Sequence, residues 1–169
     1  KMATLIDALW KCIYSSAPSS SLEAVMDIQE FLSFSAVSFL LGNFDDQRYN
    51  YNNFYVYFRP SDNRAIFLPY DWDWCLGLDR GANLANKSPL DKWTLDNNNN
   101  SNLYLATLLG NPGGYSLESY QSDFKAYIAH YADSILDSGA FSSLANALGE
   151  TSEIPSIASY MSAKKNHIS

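Results

Sequence analysis

Residues 54–73 read FYVYFRPSDNRAIFLPYDWD, and this stretch of the sequence decides the fold. Two short runs of aromatic and β-branched residues, 54–58 and 65–68, flank a segment with turn-forming residues, 59–64. This order predicts a β-hairpin. Because both runs are almost wholly apolar, we expect both faces of the hairpin to be covered.

Acidic and amide residues lie just before the first predicted strand and just after the second: Asp45, Asp46, Asn50, Asn52, Asn53, Asp71 and Asp73. A hairpin brings these two flanks close together, so we expect one polar cluster. If the second flank is extended, Asp71 and Asp73 point to the same side of the chain and could share a cation. Oxygen ligands of this kind suit magnesium or calcium better than zinc.

The rest of the chain is predicted to be mainly helical. Leu5 and Leu9 recur at helical spacing, and Asp27 with Glu30 has the spacing of a capping box before an apolar run that Gly42 can end. Apolar residues on nearly all sides of that run predict a helix enclosed by its neighbours. Further helices are predicted near 20–23 and over 103–109, 116–135, 141–148 and 154–165.

Composition favours one domain over residues 1–169 and excludes several classes of protein. The chain has 169 residues, of which 47% are hydrophobic, which is enough for one core. A formal net charge of −7 argues against nucleic-acid binding. No apolar segment is long enough to predict a membrane span, and the two cysteines form neither a disulfide framework nor a zinc motif. Residues 97–102 are an Asn-rich tract that we interpret as a mobile spacer loop.

Three motifs occur in order along the chain. The first is Gly42-Asn43-Phe44-Asp45-Asp46, the second is Asn52-Asn53 with the aromatic strand that follows, and the third is 68–73 (LPYDWD) with Gly77. This ordered set resembles the spore coat protein H family, the CotH-type kinase-like proteins. Segments 27–31 and 108–120 are also similar, so the resemblance covers most of the chain.

The resemblance implies an atypical protein-kinase-like C-lobe, α+β and mostly α, that is helical with a central β-hairpin. Such a protein would transfer a phosphoryl group from ATP or another nucleotide to a Ser or Thr hydroxyl of a protein substrate, using Mg, or Ca or Mn. Asp71 would bind the metal with Asp73 as a second ligand, and Asp45 or Asp46 would accept the proton. The family also implies an extracellular, cell-surface or spore-coat location.

Two registers of the catalytic loop remain open. Asp45 and Asn50 reproduce the Asp-x-x-x-x-Asn spacing of conventional kinases. The conventional Asn directly precedes a strand, however, and that position selects Asn53 or Asn52. We favour the strand-adjacent Asn as a metal and nucleotide ligand, since loop length can vary, and we favour Asp46 over Asp45 as the proton acceptor.

The sequence contains neither a Gly-rich phosphate loop nor a strand lysine of the Val-Ala-Ile-Lys type. It begins at Lys1 without an initiator methionine or a signal peptide, so we interpret it as a fragment whose N-lobe lies upstream. On this interpretation the isolated chain lacks nucleotide affinity and is inactive alone.

Three other interpretations compete with a kinase-like site. The many aromatic residues are compatible with a non-catalytic carbohydrate- or protein-binding module that has a structural calcium ion. The sequence Asp71-x-Asp73 resembles the signature of nucleotide-sugar transferases, although the alternating strand and helix pattern of such enzymes is absent. Alternatively, Arg48 or Arg80 could neutralise the acidic cluster in a structural salt bridge.

Overall fold

The computed structural model describes residues 1–14, 19–43, 45–46, 52–78, 84–89 and 118–168. Its helices are α1 Met2–Tyr14, α2 Ser19–Glu23, α3 Ile28–Leu41, α4 Glu118–Ile135, α5 Ser138–Leu148 and α6 Ile154–Ile168. Its strands, β1 Phe54–Phe58 and β2 Ala65–Pro69, lie between α3 and α4 in the chain. The predicted class, α+β and mostly α with a central hairpin, is therefore confirmed. The helix predicted over 103–109 and the Asn-rich tract lie outside the described residues.

Helix α3 is the centre of the core. Asp27 caps it, since its Oδ1 accepts a hydrogen bond from the Glu30 N–H at 3.3 Å. The second bond of a capping box does not form, because the Asp27 N–H donates to the Ala65 carbonyl of β2 instead. The helix ends at Gly42, whose φ of 67° is left-handed, as predicted. Ser35 and Ser38 are fully buried together with most of the apolar side chains of α3, while Ser33, Phe34 and Val37 are half-buried, so the helix is enclosed on most sides, as predicted.

Aromatic side chains join α3 to its neighbours. Phe39 meets Phe124 of α4 edge to face, with ring centroids 6.3 Å apart. Phe31 meets Phe67 of β2 in the same way at 5.3 Å. Burying one such side chain contributes about 1.5–3 kcal/mol to folding. The core thus fixes both the hairpin and α4 against the same helix.

The hairpin is antiparallel, with Tyr55 opposite Leu68 and Phe58 opposite Ala65. Its inner face packs on α3, but its outer face is open to solvent, where Tyr55 is 65% exposed and Tyr57 and Leu68 are also exposed. The expectation that both faces are covered is therefore wrong. In a two-stranded sheet alternate residues point to opposite sides, and α3 covers one side.

The turn of the hairpin is fastened to the start of α3 by ion pairs. Arg59 Nη2 donates to Asp27 Oδ2 at 2.8 Å and to Asp62 Oδ2 at 2.6 Å. Arg64 Nε donates to the same Asp62 oxygen at 2.7 Å. Hydrogen bonds from Arg59 and then from Arg64 hold the pKa of Asp62 well below its usual range. We call this group, Asp27, Arg59, Asp62 and Arg64, the turn end.

Candidate functional site

The opposite end of the hairpin is shaped by two residues with left-handed backbones. Asn53, just before β1, has a φ of 56°, and Asp71, just after β2, has a φ of 55°. Asn and Asp adopt this conformation more readily than other non-glycine residues. The Tyr70 N–H donates to the Asn53 carbonyl at 3.0 Å, so the two flanks are held side by side. We call this region, with Asp45, Asn52, Asn53, Asp71 and Asp73, the open end.

The backbone at Asp71 overturns one expectation. An extended segment would have placed Asp71 and Asp73 on one side by simple alternation, but alternation does not apply across a left-handed residue. The two carboxylates are nevertheless neighbours, because after loss of water the charge of Asp71 and a hydrogen bond with it raise the pKa of Asp73. The turn, not the pleat of a strand, brings them together.

Asp45 is held by side-chain amides from the start of β1. Its Oδ2 accepts from Asn53 Nδ2 at 2.7 Å and from Asn52 Nδ2 at 3.3 Å. Asn53 Nδ2 also faces the Asp71 carbonyl oxygen at 3.4 Å. Asp45 is only 7% exposed, and Asn53 is buried to the same degree. One amide therefore connects the flank before β1 with the flank after β2.

Asp46 has a different environment, although it is the next residue. It is 2% exposed, and its Oδ2 accepts a hydrogen bond from the Ser38 hydroxyl at 2.5 Å. Because Ser38 is a buried residue of α3, this contact ties Asp46 to the core. The role of Ser38 was not predictable from the sequence, because a small polar residue in an apolar helix usually serves only to pack. Asn50, the alternative ligand, lies outside the described residues.

Negative charge accumulates at Asp73. Loss of surrounding water raises the pKa of Asp73 most, and the charge of Asp71 and a hydrogen bond with Asp71 raise it further. The charge of Asp45 acts in the same direction. Within the described ranges no Lys or Arg forms an ion pair with Asp71 or Asp73.

The donor set at the open end fits a magnesium ion that also binds phosphate. No three Asp, Glu, His or Cys side chains of the described part of the chain meet in a group that could hold a metal. Magnesium, however, is usually bound through one or two carboxylates together with water and substrate phosphates. Asp71 and Asp73 supply that pair. Asn53 uses its Nδ2 for hydrogen bonding, so its Oδ1 is the atom with which it could bind a cation.

The two arginines proposed as neutralising partners, Arg48 and Arg80, lie outside the described residues. Arg59 and Arg64, which are described, pair with Asp27 and Asp62 at the turn end instead. The described ion pairs therefore give no support to a structural salt bridge at Asp71.

An exposed aromatic pair adjoins the open end. The rings of Tyr55 and Tyr70 lie 4.8 Å apart, tilted by 30°, and both side chains are exposed. Tyr70 directly precedes Asp71, so the two tyrosines lie beside the acidic residues of the open end, on the outer face of the hairpin. The exposed surface was not predicted from the sequence. The alternation of Tyr55 and Tyr57 with Phe54 and Phe58 could have indicated it, because alternate residues of a strand face opposite sides.

Comparison with known proteins gives one match. The family model described as CotH kinase protein matches residues 1–167. No curated protein and no solved structure matches the chain significantly. Among the described helices, none is both long and apolar enough to cross a membrane. The match covers nearly all 169 residues and includes the open end of the hairpin. The chain therefore belongs to the CotH kinase family.

Proposed function

We propose that this chain supplies the metal-binding and proton-accepting half of a kinase-like site that transfers a phosphoryl group from a nucleotide to a protein hydroxyl. The contact that supports this most strongly is the Asn53 amide, which lies between the Asp45 carboxylate and the Asp71 backbone. Phosphoryl transfer depends on such placement of a carboxylate beside a metal site, because positioning and charge stabilisation provide nearly all of the catalysis.

In this proposal Asp71 and Asp73 bind the metal, and Asn53 Oδ1 adds a neutral ligand. Magnesium bound there would neutralise negative charge on the nucleotide phosphates. Loss of water first, and then the charge of Asp71, raises the pKa of Asp73, and a cation bound at this place would offset both costs of the charged form. Calcium and manganese accept similar oxygen ligands and remain alternatives.

We propose Asp45 as the proton acceptor, in preference to Asp46. Asp45 is held by the same amide that reaches the metal-binding flank, whereas one oxygen of Asp46 accepts the Ser38 hydroxyl. The oxygen of a substrate Ser or Thr would attack the terminal phosphorus while the bond to the leaving phosphate oxygen breaks. The hydroxyl proton would pass to Asp45.

In this proposal the exposed pair Tyr55 and Tyr70 contacts the base of the nucleotide. Aromatic faces stack on bases with little dependence on base identity. We also propose that the residues that bind the nucleotide phosphates from the other side of the site belong to an N-lobe upstream of Lys1. The protein substrate and an extracellular, cell-surface or spore-coat location are likewise proposed from the family.

The direct test is transfer of labelled phosphate from ATP to protein, using the full-length natural protein with whatever residues precede Lys1. We expect Asp71→Ala to abolish magnesium-dependent transfer while the helical circular dichroism is unchanged. Asp133→Ala is the matched control, since Asp133 is an exposed acid of α4 paired with Lys165. Turnover retained in Asp71→Ala would show that Asp71 is structural.

A second candidate function is favoured by the same exposed tyrosines. Two neighbouring aromatic rings open to solvent could stack on a sugar, and calcium at Asp71 and Asp73 would then brace a carbohydrate-binding surface. Glycan-array binding that is lost in Tyr55→Ala, from a protein with no phosphate transfer, would establish this alternative.

A further inference from the structure

Tyr160 of α6 lies between the two loops that carry the open end. The first loop follows α3 and contains Gly42 and Asp45, and the second follows β2 and contains Asp71 and Gly77. Tyr160 is distant from both in sequence and is only 4% exposed. Its ring contacts both loops at once, at a glycine in each.

The glycines show how closely the loops approach the ring. A Cβ added at Gly42 would overlap the Tyr160 hydroxyl, and one added at Gly77 would lie 3.2 Å from the Tyr160 Cβ. Both glycines have left-handed backbones, with φ of 67° and 79°. The tip of the ring therefore meets the main chain of the first loop, and its base meets the main chain of the second.

Two hydrogen bonds reinforce this arrangement. The Tyr160 hydroxyl donates to the Leu40 carbonyl at 3.1 Å, near the end of α3. The Leu76 N–H donates to the Leu41 carbonyl at 2.6 Å, which ties the second loop to the last residue of α3, where the first loop begins. Most core side chains touch other side chains, which can repack after a change. Tyr160 also touches main chain in both loops, so its ring fixes where the loops run.

From these contacts we infer that Tyr160 is a positioning residue, which sets the separation between Asp45 on one loop and Asp71 and Asp73 on the other. The inference rests on the proposed function, because it concerns the spacing of the proton acceptor and the metal ligands. Tyr160 itself touches neither substrate nor metal. It acts by fixing the positions of the two loops relative to each other.

The test measures the two loops separately with Mn²⁺, which broadens the NMR signals of nearby residues. In the full-length protein with labelled aspartate, added Mn²⁺ should broaden the signals of Asp45, Asp71 and Asp73 together. In Tyr160→Leu, at substoichiometric Mn²⁺, we expect the broadening of Asp71 and Asp73 to be unchanged and that of Asp45 to decrease without disappearing, because the effect falls with the sixth power of distance. The rate constant kcat for phosphoryl transfer should fall on the order of 100-fold, as expected for a displacement near 1 Å.

Three further measurements separate positioning from general loss of stability. Tyr120→Leu removes another buried tyrosine, one that donates to Glu23, and should leave the Mn²⁺ pattern unchanged. Tyr160→Phe keeps the ring and should restore both the pattern and most of kcat. Amide hydrogen exchange at Leu76 should be faster in Tyr160→Leu than in the parent and unchanged in Tyr120→Leu. If Tyr160→Leu does not fold, Tyr160→Met, which fills similar volume without a planar ring, takes its place.

The outcomes distinguish this inference from the proposed function. If Mn²⁺ broadens none of the three signals in the parent protein, the metal site is wrong, and the exchange rate of Leu76 alone then decides whether Tyr160 fastens the loops. If Mn²⁺ broadens all three equally in parent and Tyr160→Leu, and kcat is unchanged, Tyr160 has no positioning role.

Discussion

Both ends of the hairpin carry aspartates, but the aspartates of one end have arginine partners and those of the other have acidic neighbours. At the turn end Asp27 and Asp62 pair with Arg59 and Arg64, and four ion pairs link them. At the open end loss of water first, and then the charges of Asp71 and Asp45, raise the pKa of Asp73. The two arginines of the turn end neutralise its carboxylates, whereas the open end concentrates negative charge.

This difference is the basis on which we propose a structural role for the turn end and a functional one for the open end. A carboxylate beside an arginine is stabilised in its charged form and has little need of an external ion. Carboxylates that face each other are stabilised when a cation binds, and perturbed acids of this kind are typical of functional sites. Each change proposed below alters one end of the hairpin and leaves the other end as it is.

The largest effect is expected for the proton acceptor at the open end. Asp45→Asn should reduce phosphoryl transfer by about 10²- to 10⁴-fold, the usual contribution of a general base. Asp46→Asn should reduce it less, because Asp46 bonds to Ser38 of α3. Steady-state kinetics of both variants would settle the choice, and a larger loss in Asp46→Asn would reverse our assignment.

At the turn end the expected effect is on stability. Asp27→Ala should lower the free energy of unfolding by about 1–2 kcal/mol, since it removes the helix cap of α3. Asp137→Ala removes the cap of α5 and is the matched control, with a smaller expected loss because Asp27 also pairs with Arg59. Urea denaturation measures both. Magnesium affinity should be unchanged in both variants, and a change in Asp27→Ala would mean that the ends are coupled.

The raised pKa of Asp73 predicts a pH dependence with a definite sign. Between the ordinary pKa of Asp and the raised one, the native state holds more protons than the unfolded state. The contribution of Asp73 to stability therefore falls as pH rises through this window, while magnesium affinity rises as the proton leaves. Asp73→Asn should remove the fall in stability, which thermal unfolding at several pH values would detect. A stability profile identical to that of the parent would contradict the assignment.

The smallest effect is expected at Cys75, beside the open end. Burial first, and then the charge of Asp73, raises the pKa of the Cys75 thiol to about 11, so alkylation should be slow at mildly alkaline pH. Saturating magnesium or Asp73→Asn should accelerate alkylation of Cys75 by less than about tenfold. Cys12 is the internal control, because burial and then the Glu23 carboxylate raise its pKa, without Asp73. Equal rates with and without magnesium would place the cation elsewhere.

The sequence predicted the elements whose signals are local. The apolar period of α1, the cap at Asp27, the end of α3 at Gly42 and the strands around the turn are all confirmed. The meeting of the two flanks also followed from the sequence, because a hairpin necessarily brings them together. Each of these features depends on residues near one another in the chain.

Features that depend on distant partners were not predictable. The left-handed backbone at Asp71 depends on the bond between Tyr70 and Asn53, and the exposed outer face depends on which side α3 covers. The contact between Ser38 and Asp46 and the position of Tyr160 require the packed helices. No periodicity or spacing in a single sequence encodes such long-range choices.

Helix α3 is attached to the hairpin turn at its start, where Asp27 pairs with Arg59, and to the loop that follows the hairpin at its finish, where the Leu41 carbonyl accepts from the Leu76 N–H. Its 14 residues rise about 21 Å, and each five-residue strand with its flanks spans a similar length. An insertion or deletion inside α3 would rotate one attachment by about 100° relative to the other. Natural variation in chain length should therefore be excluded from residues 28–41 and tolerated in surface segments.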